Sequence, residues 1–190
     1  LYEIDLRLRP SGNSGLLISH IDTYKTYQEN EAWTWEHQAL VRARYIYGSE
    51  ALGRNFTELR HQVLSRPREQ DKLRKEVADM REKMRTHLDK TNDYKVDLKQ
   101  TSGGIADLEF LTQFWVLANT HTVPMLSKWT DNLRILDELA THQVIDEALA
   151  EGLQKAYLYI RSQIHRHNLT NKDIVHSEEM SALMALVKRT

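Results

Sequence analysis

The sequence has no cysteine, and only three prolines and seven glycines in 190 residues. Without cysteine there are no disulfides and no thiolates to act as nucleophile or metal ligand, which fits a cytoplasmic protein. So few turn-formers, beside abundant Leu, Ala, Glu, Arg and Lys, exclude an all-β domain, a collagen-like chain and a disordered tail. No apolar run approaches the ~18 residues of a membrane span, and no signal-peptide pattern is read at the start. An excess of one charge is missing too. The 26 basic and 27 acidic side chains leave a net charge of −1, which gives no general attraction to nucleic acid or to an anionic membrane. What remains is 41% hydrophobic and 28% charged residues, enough for about one domain with a true core. Because the first residue is Leu1 rather than Met, the expectation is a piece of a longer chain.

The chain begins differently from the way it continues. Tyr2-Glu3-Ile4-Asp5-Leu6-Arg7-Leu8-Arg9 alternates apolar and charged residues, the period-2 pattern of a half-buried strand. Pro10-Ser11-Gly12 signals a turn, and Gly15–Ser19 reads as a second short strand. A lone hairpin is marginal in water, so residues 1–19 are expected to be the last strands of a sheet that lies upstream. From 20 to 190 the pattern is helical. Helices are predicted at 22–31, 34–47, 50–65, 69–89, 104–120, 130–142, 146–168 and 177–188, with stops at Gly48, Pro67, Thr91-Asn92-Asp93, Gly103-Gly104 and Pro124. The predicted fold is therefore mainly α, a helical bundle preceded by a short β-hairpin. No internal repeat is present.

Two helices carry most of the packing information. Over 69–89, Leu73, Val77, Met80, Met84 and Leu88 form one narrow apolar stripe on a highly charged helix. Over 104–120 the apolar residues lie on every side, which predicts the central, buried helix. Asp107, Glu109, Thr112 and Gln113 would then be polar groups in the interior, each needing a partner. Tyr94–Lys99 alternates again and suggests a short extended piece before the glycines. The histidines form no ligand set, and the basic run Lys72–Arg85 is interleaved with acids, a solvated face rather than a nucleic-acid stripe.

Three stretches together point to a family. Residues 2–12, the Glu31–Arg44 stretch with its Trp-Thr-Trp-Glu-His-Gln core, and Gly103-Gly104-Ile105-Ala106-Asp107-Leu108-Glu109-Phe110 resemble, in the same order, the glutamine synthetase adenylyltransferase family. The resemblance implies two homologous nucleotidyltransferase halves, each with a helical bundle, that attach AMP to a tyrosine of glutamine synthetase or remove it. The Trp-Thr-Trp-Glu-His-Gln form is similar to that of the adenylylating half. It further implies ATP and Mg²⁺ as cofactors, and PII signalling protein and glutamine as regulators. A helical domain of a PII uridylyltransferase relative would share the fold, but the Trp-Thr-Trp-Glu-His-Gln segment gives that reading no support. One element of the family is absent: no Gly-Ser-x-x-Asp-x-Asp occurs, so the segment alone is expected to be inactive and to hold neither ATP nor metal.

Several residues carry the chemistry that the resemblance suggests. Asp5 corresponds to the third metal-binding carboxylate, near the attacking hydroxyl as ligand or base; otherwise it is an exposed residue on an edge strand. Arg7 and Arg9 share its strand face, and guanidinium forks suit phosphate oxygens. Glu36 falls within the apolar arc of its helix, where an unpaired carboxylate would be costly, so pairing with Arg7, Arg9 or Arg44 is predicted. Arg42 and Arg44, roughly 200° apart on the helical wheel, border that arc from opposite sides. His37 is read as an exposed side chain. Gly103 and Gly104, helped by Lys99, would let a phosphate reach the start of the central helix, with Asp107 and Glu109 lining or bracing it. Equally, the glycines would simply interrupt the chain before a helix. Two functional expectations follow: a wall of the adenylyl-transfer site, or a non-catalytic module that docks glutamine synthetase or PII.

Overall fold

The structure, a computed structural model, describes residues 9–91, 96–170 and 177–190. Among them are eight α-helices: α1 (Ile21–Asn30), α2 (Thr34–Arg42), α3 (Glu50–Leu64), α4 (Gln70–Leu88), α5 (Ile105–Asn119), α6 (Asn132–Thr141), α7 (Glu147–Thr170) and α8 (Glu178–Arg189). Two 3₁₀ turns, Gly12–Ser14 and Pro124–Ser127, complete the regular structure. Several helix starts are capped by a side chain. Ser49, Glu69, Asp131 and Ser177 each accept a backbone N–H from the first turn of the helix that follows.

Helix α5 is the hub. It packs against α2, α4, α6, α7 and α8, and none of its residues is exposed. Around it Leu108, Val116, Leu117, Ile135, Leu136, Leu139, Leu153, Ile160 and Met180 are fully buried. The stripe on α4 meets α5 as expected through Leu73 and Val77, while Leu88 emerges into solvent. One residue on that stripe is not apolar: Arg81, four residues beyond Val77, is buried with it. The four polar groups predicted inside α5 all have partners. Asp107 binds Arg81, Glu109 binds Arg42, the Thr112 hydroxyl donates to Asn132 Oδ1, and Gln113 Oε1 accepts from Gln38.

The hairpin is not found. Among the described residues there is no strand, and Gly15–Ser19 joins no strand ladder, leaving Leu16, Leu17 and Ile18 exposed. Residues 1–8, where the first strand was expected, lie outside the described residues. A period-2 run forms a strand only against a partner, and the described part of the chain offers none. The extended piece expected at Tyr94–Lys99 lies partly outside the described residues, which omit 92–95; among the rest, Val96 and Asp97 form no strand and Leu98–Gln100 turns.

Helix α2 also ends five residues earlier than predicted. Buried Arg60 of α3 explains why. Its Nε donates to the Leu40 carbonyl at 2.7 Å and its Nη2 to the Val41 carbonyl at 2.7 Å, acceptors that a continuing helix would have used itself. Arg60 also donates to the Ser127 and Trp129 carbonyls, so one guanidinium joins the end of α2 to the Pro124–Ser127 turn. Burial lowers its pKa to about 10, which leaves it charged at neutral pH.

Candidate functional site

The predicted site residues separate into two places. The first is a cleft of about 230 Å³ bordered by Arg9, Tyr24, Gln28, Trp35, Glu36, Leu40 and Arg42. Here side chains of α1 and α2 face one cleft, and the turn that starts at Arg9 lies against it, its Ser11 N–H on the Tyr27 hydroxyl. Arg9 is half-buried and donates from Nε to the Gly15 carbonyl at 3.2 Å. Arg42 reaches from the last turn of α2 to Glu109 at 3.1 Å and Asn132 at 3.4 Å, tying the cleft to α5 and α6.

Glu36 has partners other than those predicted. Its Oε1 accepts from the Tyr27 hydroxyl at 2.8 Å and its Oε2 from the Trp33 N–H at 2.9 Å. Arg9 shares the cleft without bonding to it, Arg44 is exposed beyond the end of α2, and Arg7 lies outside the described residues. The negative charge of Glu36 is felt nearby. Burial first, then Glu36, pushes the Tyr24 phenol up to about 12, and Tyr27 is raised by the same two causes. His37 is not at the surface as expected. It is half-buried with Nε2 3.0 Å from the Gln28 carbonyl, and burial together with Arg68 and Arg66 lowers its pKa.

The second place is the start of α5. Gly103 and Gly104 are buried, and their small size is used for packing. A Cβ on Gly103 would lie 2.3 Å from the Met184 carbonyl of α8, and one on Gly104 would lie 2.6 Å from the Leu98 carbonyl. Gly103 also has φ +78°, a conformation that favours glycine. The amides a phosphate would need are occupied. Gly103 N–H donates to Asp107 Oδ2, Gly104 N–H to Thr101, Ile105 N–H to Leu98 and Ala106 N–H to Lys99. Asp107 holds Arg81 at 2.6 Å and Arg85 at 3.2 Å, and the Lys99 side chain is exposed. These glycines allow close packing against α8 and the Leu98 carbonyl, and Asp107 pairs α5 with α4 through Arg81 and Arg85.

Sequence reasoning missed Tyr27, Arg60 and Arg81. The two arginines were legible in principle, since Arg60 falls on the apolar face with Phe56, Leu59 and Val63 while Arg81 falls on the stripe of α4. Tyr27 gave no signal, because its role depends on how α1 folds against α2. Asp5 lies outside the described residues. Among those described, no three acidic or histidine side chains converge to hold a metal ion, and no helix is long and apolar enough to cross a membrane.

Comparison with known proteins gives a consistent result. Residues 1–59 match the family model described as glutamate-ammonia ligase adenylyltransferase, and residues 71–187 the one described as GlnD PII-uridylyltransferase. The bifunctional glutamine synthetase adenylyltransferase/adenylyl-removing enzyme of Shewanella loihica is 53% identical over 169 residues, covering 89% of this chain and 18% of that protein. The protein of the same description from Alteromonas mediterranea is 50% identical over 190 residues, 100% of this chain and 19% of its own length. A third, from Vibrio parahaemolyticus, is 51% identical over 173 residues, 91% of this chain and 18% of its own. The chain thus spans 18–19% of the length of these curated relatives.

Proposed function

The chain belongs to the family of glutamine synthetase adenylyltransferases, and from that premise we propose that it forms one wall of an adenylyl-transfer site. The whole enzyme would move AMP from ATP, with Mg²⁺, to a tyrosine of glutamine synthetase, under control by PII protein and glutamine. One observation supports the wall most directly: Arg9, Glu36 and Arg42 border a single cleft beside the rings of Tyr24 and Trp35. Two guanidinium groups at an aromatic-lined cleft suit a triphosphate, whose oxygens accept bidentate hydrogen bonds. Asp5, four residues before Arg9, is proposed as the carboxylate near the attacking hydroxyl, with Arg7 on the same triphosphate. Magnesium would need carboxylates beyond the described residues, so the segment alone is proposed to be inactive. In this reading Glu109 and Asp107 brace the wall, through Arg42 and through Arg81 and Arg85.

A second reading, a module that docks a protein partner, draws on different residues: Trp33, Ile46 and Tyr47 are 71%, 73% and 94% exposed. The test uses a full-length adenylyltransferase that carries this segment, with Asp5→Asn and Arg9→Ala made separately. Each variant is expected to lose AMP transfer by at least about 100-fold while melting as the parent does. Full transfer in both variants would overturn the proposal and leave the docking module. That module predicts weaker glutamine synthetase binding by Trp33→Ala.

A further inference from the structure

The segment leading into α1 is fixed in an unusual way. From Arg9 to Gly15 it forms a tight turn with Ser11 and Gly12 at φ 60° and 52°, closed by the Gly12 N–H to Arg9 carbonyl bond at 2.9 Å. A Cβ at Gly15 would overlap the Pro10 carbonyl at 1.8 Å, so only glycine fits there in this turn. What orients it on the helices is a chain of three hydrogen bonds. The Ser11 N–H donates to the Tyr27 oxygen at 3.2 Å, the Tyr27 hydroxyl donates to Glu36 Oε1 at 2.8 Å, and the Trp33 N–H holds Glu36 Oε2 at 2.9 Å. Turn, α1 and the start of α2 are thereby linked through one phenol.

We infer that Tyr27 is a positioning residue of the transfer reaction, its hydroxyl locking the turn so that Arg9 meets the cleft in one orientation. The inference rests on the adenylyl-transfer reading of that cleft. Three features single out Tyr27. A charged acceptor makes the Tyr27–Glu36 bond the strong member of the chain, and that bond polarises the phenol oxygen that takes the Ser11 amide. The phenol stays protonated at neutral pH, its pKa being raised by burial and by Glu36, so it remains a donor. Finally, Tyr27 is not part of the hydrophobic cluster, whereas its neighbour Tyr24 packs against it. Removing the Tyr27 hydroxyl therefore takes away orientation and little packing.

The experiment is Tyr27→Phe in the full-length enzyme, alone and combined with Arg9→Ala. The phenylalanine variant is expected to lower kcat for AMP transfer about tenfold, the value of one well-oriented hydrogen bond, with the melting temperature within about 2 °C of the parent. Because both residues act through one turn, the double variant should be little slower than Arg9→Ala by itself. Full-rate transfer by Tyr27→Phe, strictly multiplicative losses, or a slow enzyme that also melts several degrees lower would each overturn the inference. The two proposals fail separately. Active Asp5→Asn and Arg9→Ala variants would end the adenylyl-transfer reading. Inactive ones beside a fully active Tyr27→Phe would end only the positioning role.

Discussion

The two ends of this chain are built to different standards of closure. From α5 onward, large aliphatic side chains such as Leu117, Leu126, Ile135, Leu136, Leu139, Leu153 and Ile160 are completely buried. Before α3, Leu16, Leu17, Ile18, Trp33, Ile46 and Tyr47 each stand with two thirds or more of their surface in solvent. The later region covers most of its apolar side chains, with Leu158 and Leu169 on α7 among the exceptions, while the earlier one presents a run of apolar surface that its own helices do not cover. The cleft with Arg9, Glu36 and Arg42 lies in the open region and is held from behind by the closed one, through the Arg42–Glu109 ion pair and the Arg60 hydrogen bonds. A functional surface that must meet something else has to remain open, and its geometry is borrowed from a core that need not.

Substitutions on either side should therefore differ most in stability. Leu136→Ala, at a site with no exposure, is expected to cost about 3–5 kcal/mol, read from urea unfolding. A loss below 1 kcal/mol would show that the later region is loosely packed and the contrast unreal. Arg60 is the joint between the two regions. Arg60→Met keeps the volume but strips hydrogen bonds from four carbonyls, and about 2–3 kcal/mol of destabilisation is expected. Amide exchange should then speed up at the end of α2 before it does so in α6 or α7. Trp33→Ala, in the open region, should change stability by no more than about 0.5 kcal/mol, since that ring is 71% exposed. A larger loss would mean that the tryptophan is covered in solution.

The same contrast governs how far the sequence could be read. All eight helices were legible because a closed bundle repeats its apolar residues every three or four positions, as Leu73 and Val77 do on α4. The central place of α5 followed from its being apolar on every side. In the open region the local pattern misled. Gly15–Ser19 looked like a strand, but a strand is completed by a partner that the pattern itself does not name. The run Tyr45-Ile46-Tyr47 looked helical, yet Arg60, fifteen residues after Tyr45, had already taken the carbonyls that would have continued α2. Of the residues singled out from the sequence, Arg9, Glu36 and Arg42 border one cleft. Among the described residues Glu36 is held by Tyr27 and the Trp33 N–H, and a tyrosine one helix away left no spacing to read. At Gly103 the sequence left two explanations of a glycine before a helix open, and the close approach of the Met184 carbonyl could not be read from it.

The smallest expected effect concerns pH and again falls in the open region. His37 carries a lowered pKa because it is half-buried and faces Arg68 and Arg66. The Gln28 carbonyl and Glu36 oppose that shift only in part. Unfolding returns the imidazole to about 6.5, so between its folded value and 6.5 the unfolded chain binds more protons than the folded one. Stability should therefore rise with pH through that window, show no contribution from His37 above it, and carry the full penalty below it. His37→Gln removes the titration and keeps a donor for the Gln28 carbonyl. Its urea midpoint relative to the parent should improve as the pH is lowered from 7.5 to 5 and be indifferent above 7. A parent that instead gains stability on acidification relative to the variant would mean that His37 binds its proton in the fold. The α1–α2 pair would then hold a cation beside Glu36 rather than a neutral ring packed beneath the cleft.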